Sequence, residues 1–292
     1  MESVMIIGDV GINHNGKVEN AIALIRLAKI AGFDAVKFQK RTPELYPEKP
    51  YNSPLFGEIS YREHKKRLEL SFEDYCKIDE YCGNEDIIWF ASCFDLLSVE
   101  FIARFNRIFW KIASPSITDH KLVEEVARQR GYTIMSTGMS TLHEVVEAIN
   151  IFQRIKQLAL GGAILTKIDT GNYLGILHCC SEYPTPLEHI NLSYITKLQH
   201  IYKYHKIGYS SHDATVVMPV SAVVLGARII EVHITQNRSQ LGSDHAASLE
   251  FVGMETLVRH IRAVEQAIGD GKKHLWDGEQ KIRDKVKQIA KS

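Results

Sequence analysis

Eight times along this chain a short β-branched or aromatic run gives way to a longer stretch with helical spacing. That alternation constrains the fold more than any other feature. The runs are VMIIGD (4–9), DAVKFQ (34–39), DIIWFAS (86–92), RIFWKIA (107–113), YTIMST (132–137), YLGILHC (173–179), KIGYSS (206–211) and RIIEVHI (228–234). Helix signals separate them. ENAIALIRLAKIAG closes on Gly32, SFEDYCKIDEYCG opens on Ser71 and closes at Gly83, and TDHKLVEEVARQRG runs from a cap at Thr118 to Gly131. STLHEVVEAINIF starts at a serine, and the last helix covers about 250–268. Such start and stop residues satisfy the unpaired backbone groups at helix ends. Strands that alternate with helices pair in parallel. Eight units within 292 residues predict a closed (β/α)8 TIM barrel, an α/β fold. The rival is an open doubly wound sheet, whose first turn would carry G-x-G-x-x-G. Here the glycines are Gly8, Gly11 and Gly16, the wrong spacing. The whole of 1–292 reads as one barrel domain, with about 270–292 as a C-terminal extension.

Lys plus Arg equals Asp plus Glu at 35 each, so no net field recruits nucleic acid or an anionic membrane. The one basic cluster, YREHKKRLEL at 61–70, is interleaved with Glu63 and Glu69 and reads as a solvated helical face or loop. The five cysteines have no C-x-x-C spacing, which argues against a zinc knuckle or a disulfide framework. The N-terminal apolar run is too short for a signal peptide, and no apolar stretch approaches ~20 residues. A cytoplasmic protein is expected. Two long loops are expected, at 40–70 after the second strand and at 235–249 after the eighth. Both follow strand C-termini, where a barrel keeps its active site.

Those strand ends are unusually polar. GDVGINHNG (8–16) supplies Asp9, Asn13, His14 and Asn15. Strand two supplies Lys37 and Gln39, two apart and so on one face. The following ends supply Ser92 and Phe94, then Lys111 and Ser114, then Ser136 and Thr137, then His178, Ser181 and Tyr183. The seventh supplies Ser210, Ser211, His212 and Asp213, and the eighth Glu231 and His233. A lysine inside a buried strand is costly unless an anion meets it, although a single one can snorkel outward. Two of them, Lys37 and Lys111, with Ser114, Ser136 and Thr137 nearby, form an anion-sized pocket for a phosphorylated or carboxylated substrate. His212 and His233 end adjacent strands at one level, with Glu231 beside them. Two imidazoles with carboxylates nearby suit a borderline divalent metal that polarises a carbonyl. His14 and His178 are weaker candidates, and Cys179–Cys180 reads as strand packing. A Ser/His/Asp triad from Ser210 to Asp213 is discounted, because no nucleophile elbow is present.

GINHNG, DAVKFQ, KIASPSI, MSTGMST, LHCCSEYPTP, IGYSSHD, EVHIT and GSDHAASLE, in this order from about residue 4 to 284, resemble the N-acetylneuraminate (sialic acid) synthase family. The resemblance implies a TIM-barrel transferase that condenses phosphoenolpyruvate with an N-acylated hexosamine such as N-acetylmannosamine. It implies a divalent metal, Mn or alternatively Mg or Co, held by His212 and His233. It implies that Lys37, Lys111, Ser114, Ser136 and Ser210 clamp phosphoenolpyruvate and that Gln39, Ser92 and Phe94 line the same pocket. Tyr183 and Asp244 would contact the sugar. Asp9, Lys37, Glu231 and Asp244 would be the catalytic set, and Ser181 a substrate contact. The family pattern has Glu at Asp9 and Asn at Ser181. It also carries a C-terminal antifreeze-like domain that reaches into a partner's site, so a homodimer is one expected state. KQIAKS falls about where the linker to that domain would begin, which leads to an expectation of weaker selectivity for the acyl amide in residues 1–292.

Overall fold

The structure is a computed structural model that describes residues 3–161 and 171–289. Its strands are β1 (Met5–Gly11), β2 (Ala35–Lys40), β3 (Pro50–Ser53), β4 (Gly57–Ser60), β5 (Ile88–Cys93), β6 (Phe109–Ile112), β7 (Tyr132–Ser136), β8 (Leu174–Cys179), β9 (Lys206–Ser211) and β10 (Ile229–His233). Its helices, among the described residues, are α1 (Val18–Ala31), α2 (Tyr61–Leu68), α3 (Phe72–Asn84), α4 (Leu96–Ala103), α5 (His120–Arg128), α6 (Leu142–Ala159), α7 (Ser193–Ile201), α8 (Val217–Val224), α9 (Phe251–Ala267) and α10 (Asp277–Ile289).

Eight strands close a parallel barrel in the order β1-β10-β9-β8-β7-β6-β5-β2, the expected fold. The runs read from sequence coincide with these strands to within a residue or two at each end. The helix ends differ from the sequence reading by similarly small amounts. Asp119, not Thr118, caps α5 through the Leu122 N–H. Thr141, not Ser140, caps α6 in a reciprocal box with Glu144. Gly83 lies inside α3, whose start at Ser71 is fixed by a box with Asp74. Gly32 ends α1 as expected, in the left-handed region.

The 40–70 segment is more ordered than a loop. It forms the β3–β4 hairpin and then α2. The basic cluster at 61–70 is therefore helical, and it is solvated on one side only: His64 and Leu68 are buried. Gly16 makes that docking possible. At φ 74° it lies so close to α2 that a Cβ would stand 2.0 Å from the Arg67 carbonyl oxygen.

The barrel interior is built in layers, because a pleated strand sends every second side chain inward. Ile7, Ala35, Phe90, Ile134, Leu177 and Ile229 form an apolar floor. Gly208 keeps that floor open, since a Cβ there would meet the Ile229 carbonyl oxygen at 2.3 Å and Leu177 at 2.4 Å. Two residues further along the same strands stand Asp9, Lys37, Ser92, Ser136, Cys179 and Glu231, all buried. Apolar side chains of the opposite strand faces, with α1 and α3 to α9, form the larger outer core.

Candidate active site

The polar layer encloses a cavity of about 230 Å³. Fourteen of the sixteen side chains expected in the site line it: Asp9, Lys37, Gln39, Ser92, Phe94, Lys111, Ser114, Ser136, Tyr183, Ser210, His212, Glu231, His233 and Asp244. Thr137 does not, because its hydroxyl donates to the Leu177 carbonyl oxygen at 3.0 Å and the side chain lines a neighbouring cavity. Nor does Ser181. Its hydroxyl turns behind Gly138 and lines a neighbouring cavity with His178, Cys180 and Asn191. Cys179 corrects the packing expectation in the opposite sense. It lines the main cavity, with its sulfur 3.5 Å from Ser114 Oγ and 3.8 Å from His212 Nδ1. Arg41, Ala113, Pro115 and Met139 also line it and were not anticipated.

A buried charge network occupies the centre. Lys37 Nζ donates to Asp9 Oδ2 at 2.7 Å and to Ser92 Oγ at 3.1 Å. Lys111 Nζ lies 3.2 Å from Glu231 Oε1, which also accepts from Ser210 Oγ at 3.1 Å. Glu231 stands 4.0 Å from Lys37, so the two pairs touch. Burial alone would raise the carboxyl pKa values. For Asp9 the Lys37 ammonium reverses this, helped by His233, and for Glu231 Lys111 and then Lys37 do so; both carboxyls are held below their ordinary range. Burial would depress both lysines. Asp9 and Glu231 outweigh it at Lys37, whose pKa is raised. At Lys111 burial, with Lys37 adding to it, prevails over Glu231 and the pKa is lowered. Besides the two histidines, three Lys or Arg and three Asp or Glu side chains line the cavity, so with neutral imidazoles its formal charges balance. The network is not saturated: Asp9 Oδ1, Glu231 Oε2 and Ser136 Oγ are buried with no hydrogen-bond partner.

The two histidines lie beside this network. Their ring centroids are 5.3 Å apart. His212 Nδ1 is 2.6 Å from the Cys180 carbonyl oxygen, which leaves Nε2 facing the Tyr183 hydroxyl at 3.1 Å. His233 Nε2 is 3.5 Å from Asp9 Oδ2, and its Nδ1 is 3.8 Å from Asp244 Oδ2. That Nδ1 is buried without a hydrogen bond. Burial holds His233 below its usual pKa despite Asp9 and Asp244. Among the described residues no three His, Cys, Asp or Glu side chains are drawn together as a finished metal cage. His14 and His178 take no part: His14 Nδ1 accepts the Gly16 N–H, and His178 Nε2 is 2.6 Å from the Ile190 carbonyl oxygen. No triad forms either, because His212 faces Cys180 while Asp213 accepts from Ser211 and Thr215.

Barrels of this kind work chemically at the C-terminal mouth, and a mouth furnished with opposed charges, hydroxyls and imidazoles makes this chain an enzyme. Its residues 24–273 match the NeuB family, and the chain belongs to that family. It is 34% identical to human N-acetylneuraminate-9-phosphate synthase over 96% of its own length and 76% of that protein's. It is 32% identical to N,N'-diacetyllegionaminic acid synthase of Campylobacter jejuni, over 96% and 82%. The solved N-acetylneuraminic acid synthetase of Leptospira borgpetersenii superposes with a TM-score of 0.80 at 28% identity, covering 100% of this chain and 94% of that one. Among the described residues no helix is long and apolar enough to cross a membrane.

Proposed function

We propose that the protein condenses phosphoenolpyruvate with an N-acylated hexosamine such as N-acetylmannosamine, releasing phosphate and giving a nonulosonate of the sialic acid type. The observation that carries this reading is the pair of buried ammonium groups, Lys37 and Lys111, ringed by the hydroxyls of Ser92, Ser114, Ser136 and Ser210. Such a set suits a small ligand with two anionic groups. Similarity to synthases of this product class supports it.

In this reading the enol carbon of phosphoenolpyruvate bonds to the aldehyde carbon of the open-chain sugar. The aldehyde oxygen becomes a hydroxyl by taking a proton as that bond forms, and a water oxygen adds at C2, losing one proton to a carboxylate, which replaces the one consumed. Phosphate then leaves C2 with the C–O electron pair and takes up the second water proton, and the water oxygen becomes the keto oxygen. Lys37 and Lys111 neutralise the carboxylate and phosphate. Glu231 Oε2 and Asp9 Oδ1, ionised and unpartnered, are the acceptors placed to take the water proton. Tyr183 and Asp244 form the wall against which the acceptor sugar lies.

The donor set also fits a divalent metal, Mn²⁺ or alternatively Mg²⁺ or Co²⁺. His212 and His233 would hold it, with Asp9 and Asp244 the carboxylates beside His233 and the orphaned His233 Nδ1 free for it. When bound, such a metal polarises the acceptor carbonyl. The test is phosphate release from phosphoenolpyruvate with Mn²⁺ and a panel of aldoses that includes the acceptors of the sialic, legionaminic and pseudaminic series. Aldose-dependent phosphate release supports the reading, and its absence across the panel refutes it.

A further inference from the structure

Just past the end of β1, Asn13 carries a buried amide that does not line the cavity. Its Nδ2 donates twice, to the Ile234 carbonyl oxygen and to Ser248 Oγ, both at 2.9 Å. Its Oδ1 is buried without a partner. An unmet acceptor in the interior costs stability, so the place of this amide is set by its two donor contacts.

Those contacts fall on the two limbs of one loop. Ile234 opens the segment after β10, and Leu249 returns beside it. The Thr235 N–H donates to the Leu249 carbonyl oxygen at 2.9 Å, and the Leu249 N–H to the His233 carbonyl oxygen at 2.8 Å. The Ile234 N–H reaches the Asp9 carbonyl oxygen at 3.1 Å, which joins this neck to β1. Asn13 spans the neck. Ser248 carries the connection onward: its hydroxyl accepts from Asn13 and donates to the Asp244 carbonyl oxygen at 2.7 Å. The direction is fixed, because a carbonyl oxygen only accepts. Nδ2 must therefore face Ile234, and Ser248 must give its proton to Asp244.

Asp244 has little other support. Its carboxylate accepts from Ser243 Oγ, a neighbour on the same loop, at 2.5 Å and lies 3.8 Å from His233 Nδ1. Its carbonyl oxygen also meets the Ala247 N–H at 3.2 Å, a contact within one turn. Ser243 and Ala246 on either side of it are exposed, whereas Ser248 is fully buried. The place of this carboxylate in the cavity wall is thus decided by its backbone, and that backbone is tied to the barrel through Ser248 and Asn13.

We propose that Asn13 and Ser248 are positioning residues for the acceptor sugar: they latch the neck of the 235–249 loop and so hold Asp244 at the cavity wall. A side chain on a loop is only as well placed as the contacts behind it, and a small misplacement weakens every contact it makes with a substrate. The inference rests on the synthase reading above, since it needs a sugar at Asp244.

The test uses Ser248→Ala, which nearly conserves volume, and Asn13→Ala. Phosphate release is measured with Mn²⁺ while phosphoenolpyruvate and the aldose are varied separately. Ser248→Ala should raise KM for the aldose about 3- to 10-fold, as one neutral hydrogen bond predicts, with KM for phosphoenolpyruvate kept within about 2-fold. The two substitutions together should raise the aldose KM by less than the product of their separate effects, because they break one chain of contacts. Hydrogen exchange followed by mass spectrometry, without substrates, should be faster across 235–249 in Ser248→Ala than in the wild type. Unchanged exchange there, equal losses for both substrates, or effects that multiply overturn the latch and leave the synthase reading intact; Ser248→Ala alone decides if Asn13→Ala does not fold. Absence of aldose-dependent phosphate release in the wild type overturns the synthase reading and the acceptor role with it.

Discussion

Lys111 and Glu231 pull on an incoming anion in opposite directions, and this gives a test of sign as well as size. With Lys111→Met the cavity loses one of its two central ammonium groups, and its balanced charges turn net negative toward the ligand. Charge-assisted hydrogen bonds contribute about 1.5–3 kcal/mol each, so phosphoenolpyruvate should bind about 10- to 150-fold more weakly. Glu231 keeps Ser210 Oγ at 3.1 Å and Lys37 at 4.0 Å, so the variant is not left with a bare buried carboxylate. Glu231→Gln does the reverse. It removes the only carboxylate within ion-pair distance of Lys111 among the described residues, and Asp9 is left paired with Lys37 alone. Breaking a buried pair costs about 3–5 kcal/mol of stability, and an anion that restores the missing charge recovers part of it. This variant should melt earlier, be stabilised more than the wild type by phosphoenolpyruvate or inorganic phosphate, and bind them more tightly while turning over poorly. Calorimetry and thermal melts with and without phosphate read both outcomes. If the two substitutions move anion affinity the same way, the ion-pair account of this network is wrong.

Three further outcomes follow from other features. His212→Ala and His233→Ala should each weaken Mn²⁺ binding, measured by equilibrium dialysis on the folded variants, and unchanged stoichiometry in both would remove the metal from these residues. Burial pushes His14 down to about 4 from the usual 6.5, so the folded protein binds fewer protons than the unfolded chain between those values. The stability this neutral ring contributes is complete above pH 6.5 and is lost as pH falls toward 4, about 2 kcal/mol of it by pH 5. Urea unfolding at pH 7.5 and 5 should show that loss shrinking in His14→Gln; an equal pH dependence in the two proteins would refute it. Gly16→Ala must move the Arg67 carbonyl or strain its own backbone, and should lower stability by about 2–4 kcal/mol; a melting curve like that of the wild type would show that the close approach to α2 is not required.

The site was legible where side chains contradict their setting. A lysine two residues beyond Ala35 in an apolar run, or a glutamate two beyond Ile229, has no reason to be there unless the inward face changes from floor to pocket. Cys179 obeys the same spacing from Leu177, and the reading failed only because a thiol is chemically ambiguous where a lysine is not. Ser181 was misplaced because the pleat stops at Cys179 and alternation says nothing about the turn beyond it. Arg41 was missed for a related reason. It lies past the last residue of β2, and its direction is set by Phe94, Gln39 and Glu69, contacts that exist only after folding. The order within 40–70 was hidden because Pro-rich sequence conceals a short hairpin as easily as a loop.

β1 and β10 are neighbours in the closed sheet, with Asp9 in register with His233. The chain is made from its N-terminus, so Asp9 and Lys37 emerge from the ribosome long before the strand that carries Glu231 and His233. Until that strand arrives the first one has a bare edge and its carboxylate lacks half of its surroundings. A partial chain of this design has neither a closed sheet nor a chemical site, and joining its two distant ends carries the loop-closure cost of a very long intervening segment. The edge of the first strand stays unpaired until late in synthesis, and completion of the last strand closes the sheet and brings together the reaction centre, Asp244 alone arriving after it.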